Sequence, residues 1–566
     1  MKPAMRSASR ARLVVVLVIA ALLEGLVAVA APAALAAPSV AKAHWSPCFR
    51  TVGPTFQCST VQVPIDYNGP NRGAISIAMV RLPATDRAHR IGSLFINPGG
   101  PGGSGVDFAL FAGPFLFTPE VRARFDIVGF DPRGIYRSTA FRCFGTQKQW
   151  APIFTSFSFP ISNAEEAQWA AGDHYLDAAC AQRGGMIGSH MATADVARDL
   201  DRLRQAVGDQ KLTYYGVSYG SYLGQTYANM FPNNFRALVI DGVLDPIAWS
   251  TGAPGEQDLP FSVRLHSATA MQAELGEFFR LCDAGGSNCP LAPNSAARYA
   301  ALADELKAGP IQILNPDTGQ LEPLIYQDLI VNTLIAMYDS HSWPFLANVL
   351  AYIESQASPA TLGRALVKLQ RSAGFISKRG FPHYPNFPEG FPAVACADSV
   401  NPGNYADWSA AADQQDATGY FGRIWTWVSS ICADWPKADP DRYLGPFNHA
   451  TGAPVLVVGN QFDGVTPYDG ALTAHTLLPN SALLTVHGWA HTSLFLSACA
   501  DGAIGAYLVG VAIPAPGTVC EQDFVPFAES ASAAAAKATA GSAARIAAGA
   551  FVRSRTVPAV LGVNRH

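Results

Sequence analysis

A serine between two glycines carries the clearest chemical signal in the sequence. Ser218 lies in GVSYG at 216–220, which fits the pattern G-x-S-x-G. The apolar run LTYYGV at 212–217 leads into the motif, and residues 221–230 can form a helix after it. A strand before the motif and a helix after it are the context of a nucleophile elbow, where a sharp turn exposes the hydroxyl group. The pattern therefore predicts that Ser218 is a nucleophile.

A glycine-rich segment predicts how negative charge is stabilised. It reads NPGGPGGSG over 97–105 and follows the apolar run SLFIN at 93–97. Acyl transfer places negative charge on a carbonyl oxygen, and each backbone N–H aimed at that oxygen contributes about 3 kcal/mol. Glycines let the main chain approach so closely. We predict the N–H groups of Gly100 and Tyr219 as the two donors of an oxyanion hole. The rival phosphate-binding loop lacks the Lys-Ser or Lys-Thr that should follow its glycines.

A hydroxyl nucleophile needs a base, and the base needs an acid that orients it. Around a nucleophile elbow the chain order is serine, acid, histidine. Asp463 comes just after the apolar run VLVV at 455–458, and His491 comes just after ALLTV at 482–486. Both follow predicted parallel strands, so they should reach the same sheet edge as Ser218. The order and spacing predict a triad of Ser218, Asp463 and His491.

Other acids and histidines are weaker candidates. Asp241 and Asp245, in DGVLDP at 241–246, are rival triad acids that we interpret as turn-capping residues, and Asp469 is a further rival. His487 and His491 have a spacing that could bind zinc on a helix, but Gly488 would break that helix and no Glu lies between them. We therefore predict no metal and no other cofactor.

The turn FDPRG at 130–134 follows another apolar run, FDIVGF at 125–130. We interpret Asp131 and Arg133 as the residues that hold this turn, in preference to a role with substrate.

The apolar runs alternate with helix-like segments, which predicts an α/β fold with a mostly parallel central sheet. Residues 194–207 place Val196, Leu200, Leu203 and Val207 on one helix face, with Thr193 as the predicted N-cap. About two hundred residues separate ALVI at 237–240 from VLVV at 455–458, and we interpret them as a mainly helical cap. The sequence thus predicts a signal peptide at 1–36, the first part of the α/β core at 37–246, the cap at 247–446, the second part of the core at 447–528 and an Ala-rich tail at 529–566.

Composition and cysteine usage indicate an exported protein. Basic residues near the start precede the apolar run 13–23, and Ala34-Leu35-Ala36 fits a signal-peptide cleavage site. The net charge of -4 provides no basic excess for nucleic-acid binding. The ten cysteines contain no C-x-x-C, so outside the cytosol they predict disulfides. Spacing leaves the connectivity open, and the simplest hypothesis pairs sequence neighbours: 48–58, 143–180, 282–289, 396–432 and 499–520.

With these motifs in place, the chain resembles the secreted actinobacterial tripeptidyl aminopeptidases of the proline iminopeptidase branch of the α/β-hydrolases. The segments that carry the resemblance are NPGGPGGSG at 97, FDPRG at 130, GVSYGSYLGQTYANMFP at 216, DGVLDP at 241, GNQFDGVTP at 459 and GWAHTS at 488. The resemblance implies the same triad, with Ser218 as nucleophile, Asp463 as acid and His491 as base. Two departures are Pro98, where iminopeptidases often have His, and Thr492, where Gly is common. They argue against importing a preference for proline at the cleavage site.

An aminopeptidase must recognise a free amine, and a carboxylate in the cap would pair with it. The candidates are Asp398, Glu256 and Asp258. The resemblance implies release of tripeptides from free N-termini. We expect peptide substrates, no nucleic acid, no stable membrane association after signal cleavage, a monomer and an extracellular location. A secreted esterase or lipase with the same triad, and a non-catalytic binding protein, are the alternatives.

Overall fold

The computed structural model describes residues 40–52, 56–314, 321–355, 386–436 and 439–528. The predicted signal peptide and Ala-rich tail lie outside these residues. One large sheet organises the chain, and a separate two-stranded sheet pairs β8 with β9. The strands are β1 Ser46–Pro47, β2 Gln57–Pro64, β3 Ala74–Leu82, β4 Gly92–Asn97, β5 Phe125–Phe130, β6 Leu212–Val217, β7 Phe235–Asp241, β8 Ile311–Leu314, β9 Leu321–Leu324, β10 Val455–Phe462, β11 Ser481–Trp489 and β12 Val519–Glu521.

The large sheet has ten strands in the order β1-β2-β3-β5-β4-β6-β7-β10-β11-β12. The seven strands β5, β4, β6, β7, β10, β11 and β12 are parallel to one another, whereas β1, β2 and β3 form an antiparallel end, in which β3 pairs antiparallel with β5. Every residue of β4, β5 and β6 is buried, as expected for strands covered on both faces. The predicted mostly parallel sheet is confirmed. The antiparallel end and β12 were not predicted.

Helices cover the sheet and fill the long interval between β7 and β10. Their bounds are α1 Gly105–Phe111, α2 Pro119–Arg124, α3 Asn163–Arg183, α4 Thr193–Val207, α5 Tyr219–Met230, α6 Pro246–Ser250, α7 Phe261–Arg264, α8 Ser267–Gly285, α9 Ser295–Ala308, α10 Tyr326–Met337, α11 Trp343–Ser355, α12 Phe387–Asp398, α13 Tyr405–Gln415, α14 Gly422–Trp427, α15 Tyr468–Leu477 and α16 Ala498–Gly510. We call residues 242–454 the inserted segment. Among its described residues, helices predominate. None of the helices described is long and apolar enough to cross a membrane.

The inserted segment has its own apolar core, and this core reaches the main sheet. Side chains of α8, α9, α10 and α11 form one buried cluster. The cluster also contains Val465 and Trp489, which lie in the loop after β10 and at the end of β11. The insertion therefore packs directly against the two chain segments that carry Asp463 and His491.

The start of α4 differs from the sequence prediction. The N-cap position is Ala192, and Thr193 is the first helical residue. The Thr193 hydroxyl group does not cap its own helix, because it donates to Asp398 Oδ2 at 2.6 Å. The Thr193 N–H donates to Asp398 Oδ1 at 2.7 Å, so a carboxylate from α12 caps α4. The predicted N-cap was wrong because a tertiary contact replaced the local one.

All ten cysteines form disulfides, and the neighbour pairing is confirmed. The pairs are Cys48–Cys58, Cys143–Cys180, Cys282–Cys289, Cys396–Cys432 and Cys499–Cys520. One of them joins the end of α12 to the turn after α14, so it fixes the helix that carries Asp398.

Candidate active site

Ser218 lies at a sharp turn between β6 and α5. Its backbone has φ 58° and ψ −129°, a conformation that costs a non-glycine residue about 1–3 kcal/mol. The surrounding fold holds this turn, since the Ser218 N–H donates to Asp241 O at 2.9 Å. Glycine is required on both sides of the turn. A Cβ at Gly216 would lie 2.3 Å from Gly220 O, and one at Gly220 would lie 2.8 Å from Asn97 O.

The glycine-rich loop packs directly on this turn, through a residue that we did not predict. Gly99 has φ +86°, and a Cβ there would lie 2.8 Å from Ser218 Cβ and 2.9 Å from Tyr219 N. The Gly99 N–H donates to Asn97 Oδ1 at 2.8 Å, which fixes the loop. Within the described residues, neither the Gly100 N–H nor the Tyr219 N–H donates to a protein acceptor. Both predicted donors thus belong to segments in contact with Ser218 and remain available to a ligand.

Asp463 and His491 form the pair that the sequence predicted. His491 Nδ1 lies 3.0 Å from both carboxylate oxygens of Asp463. The carboxylate also accepts the N–H groups of Val465 at 2.9 Å, Thr466 at 2.8 Å and Thr492 at 2.9 Å, and the Thr466 hydroxyl group at 2.8 Å. Because the other partners of this carboxylate are all donors, Asp463 is suited to accept a hydrogen bond from Nδ1–H, and in that tautomer Nε2 is the acceptor nitrogen of His491.

Asp241 connects the serine turn to the histidine loop. Its backbone oxygen accepts the Ser218 N–H, and its carboxylate accepts the Ser493 N–H at 2.9 Å and the Ser493 hydroxyl group at 2.6 Å. The Tyr215 hydroxyl group also donates to it at 2.7 Å. Ser493 is two residues beyond His491, so this buried acid fixes the spacing between the two loops. Asp241 is a structural residue and makes no hydrogen bond to His491.

The other rival acids do not contact His491 either. Asp245 caps α6 by accepting the N–H groups of Ile247 at 2.8 Å and Ala248 at 3.0 Å, as the turn-capping interpretation predicted. Asp469 is exposed in the first turn of α15. Asp463 is therefore the acid of the pair.

His491 is also held by the inserted segment. The backbone N–H of His491 donates to the backbone oxygen of Tyr338 at 3.2 Å. The side-chain rings of the two residues make an edge-to-face contact with centroids 5.3 Å apart. Tyr338 directly follows α10. The next residue, Thr492, has φ 71°, a left-handed conformation that favours glycine. This explains physically why glycine suits this position in the enzymes that the chain resembles.

The three predicted amine-binding acids lie in different surroundings. Asp398 is 1% exposed and accepts both Thr193 donors and, at 3.3 Å, the Trp249 Nε1–H. Burial raises the pKa of Asp398 to about 7. The Thr193 hydroxyl group also bonds the Tyr219 hydroxyl group, which connects Asp398 to the residue after Ser218. Glu256 instead lies 3.2 Å from His266 Nε2, and Asp258 is exposed.

His487 and His190, two histidines outside the pair, lie beside acids. His487 Nδ1 lies 2.8 Å from Glu521 Oε2, and His491 Nδ1 is engaged with Asp463, so the two histidines face different partners. Elsewhere in the described chain, His190, Asp195 and Asp439 lie within metal-ligand reach of one another. Arg133 Nη1 lies 3.2 Å from Asp195 Oδ2 and already supplies positive charge, so we assign no ion there.

Arg133 itself does not hold the turn in which it lies. It is fully buried and forms a two-point ion pair with Asp199 of α4, at 2.7 Å for both contacts. Asp131 does hold the turn, since its Oδ2 accepts the Arg137 N–H at 3.0 Å. The predicted structural role is right for Asp131, whereas Arg133 ties the turn to a neighbouring helix.

Comparison with known proteins agrees with this geometry. Residues 92–268 match the family described as alpha/beta hydrolase fold, and residues 418–520 match the family described as TAP-like protein. The chain is 30% identical over 507 residues to "Serine protease Hip1" of Mycobacterium tuberculosis, covering 84% of this chain and 90% of that protein. It is also 30% identical to "Tripeptidyl aminopeptidase" of Streptomyces lividans, over 87% and 90% of the two chains. "Carboxylesterase B" of Mycobacterium tuberculosis is 30% identical, over 86% and 91%. The chain therefore belongs to the tripeptidyl aminopeptidase-like family of α/β-hydrolases, and it is a serine hydrolase.

Proposed function

We propose that this serine hydrolase is an exported exopeptidase that releases short peptides, most simply tripeptides, from free N-termini. The observation that carries the proposal is the His491–Asp463 pair, which follows β11 and β10 at the same edge of the parallel sheet as Ser218. The tripeptidyl aminopeptidase relative supports the choice of substrate. Five disulfides support export, because disulfides persist in oxidising compartments.

In this proposal the reaction follows from the roles of three side chains. Ser218 Oγ attacks the scissile carbonyl carbon while His491 Nε2 takes its proton, and Asp463 stabilises the imidazolium that forms. The Gly100 and Tyr219 N–H groups donate to the oxyanion. His491 then protonates the leaving amine, which leaves an acyl-enzyme on Ser218. Water, deprotonated by His491, attacks that ester and releases the N-terminal peptide.

Selection of a free N-terminus requires a group that recognises the ammonium. Of the three candidate acids, Asp398 is connected by hydrogen bonds through Thr193 to Tyr219, the residue after Ser218. A carboxylate that binds an ammonium ion should lose discrimination when it becomes an amide. We therefore compare Asp398→Asn, Glu256→Gln and Asp258→Asn. The variant that loses the preference for a free amine, with an unchanged melting temperature, identifies the amine-binding acid.

The test of the proposal is a matched substrate pair: a tripeptide anilide with a free amine and its N-acetylated twin. Acetylation removes the positive charge, so kcat/KM should fall by at least about tenfold, or about 1.4 kcal/mol. Ser218→Ala should remove activity on both substrates, by about 10³-fold or more. Equal rates on the twin substrates would refute the exopeptidase proposal, and activity that survives in Ser218→Ala would refute the nucleophile.

An esterase is the second candidate function, since the relative named carboxylesterase has the same identity and similar coverage. The triad serves both reactions, because ester and peptide hydrolysis share a tetrahedral intermediate. Turnover of medium- or long-chain esters faster than that of either anilide would favour the esterase.

A further inference from the structure

Helix α8 of the inserted segment packs against the turn that carries Asp463 and forms hydrogen bonds to it. Ser267, at the start of α8, donates its hydroxyl group to Val465 O at 2.7 Å. Two turns further along, Glu274 Oε2 accepts the Gly464 N–H at 3.1 Å. A Cβ at Gly464 would lie 2.8 Å from Met271 Cα, so the helix backbone is in close contact with the turn. The turn after β10 is thus positioned by a helix that begins about two hundred residues earlier in the chain.

Glu274 is an unusual residue for this contact. It is 0% exposed, and within the described residues its Oε1 has no hydrogen-bond partner. The groups that act on its charge are Asp463, which is a like charge, and the Gly464 N–H. Burial, and then the charges of Asp463 and Glu274, raise the pKa of Tyr338 of the inserted segment. Among the residues that the structure describes, no cation acts on the charge of Glu274. Two adjacent buried carboxylates without a cation between them cannot both stay ionised at low cost.

Asp463 and Glu274 differ in the number of hydrogen bonds that each carboxyl group receives. The Asp463 carboxylate receives its hydrogen bonds from backbone, hydroxyl and imidazole donors, all of which favour the charged form. Glu274 receives one N–H. Burial first, and then the charge on Asp463, raise the pKa of Glu274 well above its ordinary range.

We propose that Glu274 is a positioning residue for the reaction at Ser218, holding the Asp463 turn in place from α8 as an uncharged carboxylic acid. It touches neither substrate nor His491 and acts through Gly464. Because it is neutral, Asp463 provides the negative charge that orients His491, and the inserted segment contributes to the triad without adding a second charge. This inference rests on the proposed triad but not on the choice between peptide and ester substrates.

The experiment compares Glu274→Gln, Glu274→Leu and Glu277→Gln in the full-length protein. Gln keeps the shape, the acceptor oxygen and the neutral charge, whereas Leu removes the acceptor and leaves the Gly464 N–H unsatisfied. Glu277→Gln makes the same chemical change one turn along α8, where the carboxylate bonds Arg280 and the Trp489 Nε1–H. The readouts are kcat and KM for an activated acetate ester, the rate of Ser218 labelling by a fluorophosphonate, the pH profile of kcat/KM, and the melting temperature.

Glu274→Gln should keep kcat/KM within about twofold, with the acid limb of its pH profile unmoved, and Glu277→Gln should match it. Glu274→Leu should lose about tenfold or more in kcat and in the labelling rate, with little change in KM. An acid limb displaced to lower pH in Glu274→Gln would overturn the inference, since it would reveal a lost negative charge. A loss of more than about tenfold in Glu274→Gln, or a wild-type rate in Glu274→Leu, would also overturn it. Ester and label readouts stay valid if the exopeptidase proposal fails, and an unlabelled wild type would refute the triad itself.

Discussion

Replacing Asp463 with Asn tests the active-site geometry most directly. Oδ1 accepts the N–H groups of Val465 and Thr466, and Oδ2 accepts the Thr466 hydroxyl group and the Thr492 N–H. An Asn side chain must place its NH₂ group where one of these oxygens was. In either orientation a donor then faces a donor, because both oxygens of Asp463 have N–H partners. The substitution is therefore not conservative at this site, although it changes only one atom group.

The effect on catalysis follows from the proton on His491. Asp463 holds a proton on Nδ1, which lies 3.0 Å from both of its oxygens, and this keeps Nε2 free to accept the Ser218 proton. An amide NH₂ toward Nδ1 would favour the opposite tautomer. In an unrelated serine protease the same change lowers kcat by about 10⁴-fold, which corresponds to about 5.5 kcal/mol. We expect a loss of that order in kcat for Asp463→Asn.

The assay is the hydrolysis of an activated ester under single-turnover conditions, with Asp469→Asn as the control. Asp469 is an exposed acid on α15, so its amide variant should behave as wild type. Each hydrogen bond to a charged acceptor stabilises the fold by about 1.5–3 kcal/mol, so its loss lowers the free energy of unfolding by that amount. The melting temperature is therefore measured in parallel, and the assay is run well below it. A folded Asp463→Asn variant within about tenfold of wild-type kcat would refute the assignment of Asp463.

Two further predictions concern the glycine-rich loop at 97–105 and the helix α3. Gly99→Ala would place a methyl group 2.8 Å from Ser218 Cβ at φ +86°, so fluorophosphonate labelling should slow by about tenfold or more, while a wild-type rate would contradict the close contact. Burial, with Asp173 and Asp434 nearby, raises the pKa of Asp177 from 3.8 to about 8. The folded state then keeps a proton that the unfolded chain loses, so stability falls by about 1.4 kcal/mol per unit as pH rises from about 5 to about 7.5. Asp177→Asn should flatten this slope in urea unfolding, and an unchanged slope would contradict the prediction.

The central strands and the contact between Asp463 and His491 could be predicted because their signals are local. The runs FDIVGF and LTYYGV have the same first and last residues as the strands β5 and β6. Side chains just beyond parallel strands share one sheet edge, so Asp463 and His491 were expected to meet there, and they do. The strands β2 and β3 were not predicted, because their signal is an alternation of more and less buried residues and not a continuous apolar run.

The long-range contacts around the candidate site could not be predicted, because they join residues far apart in sequence. Glu274 and Gly464 are 190 residues apart, and Thr193 and Asp398 are 205 residues apart. A Glu inside an amphipathic helix and a Thr before one both have ordinary local explanations, namely a solvated face and an N-cap. Those explanations fail only where another segment displaces water from the side chain. Burial of a titratable group is a property of the assembled fold, so a sequence can name the residues that react and yet leave unnamed those that set their charge and orientation.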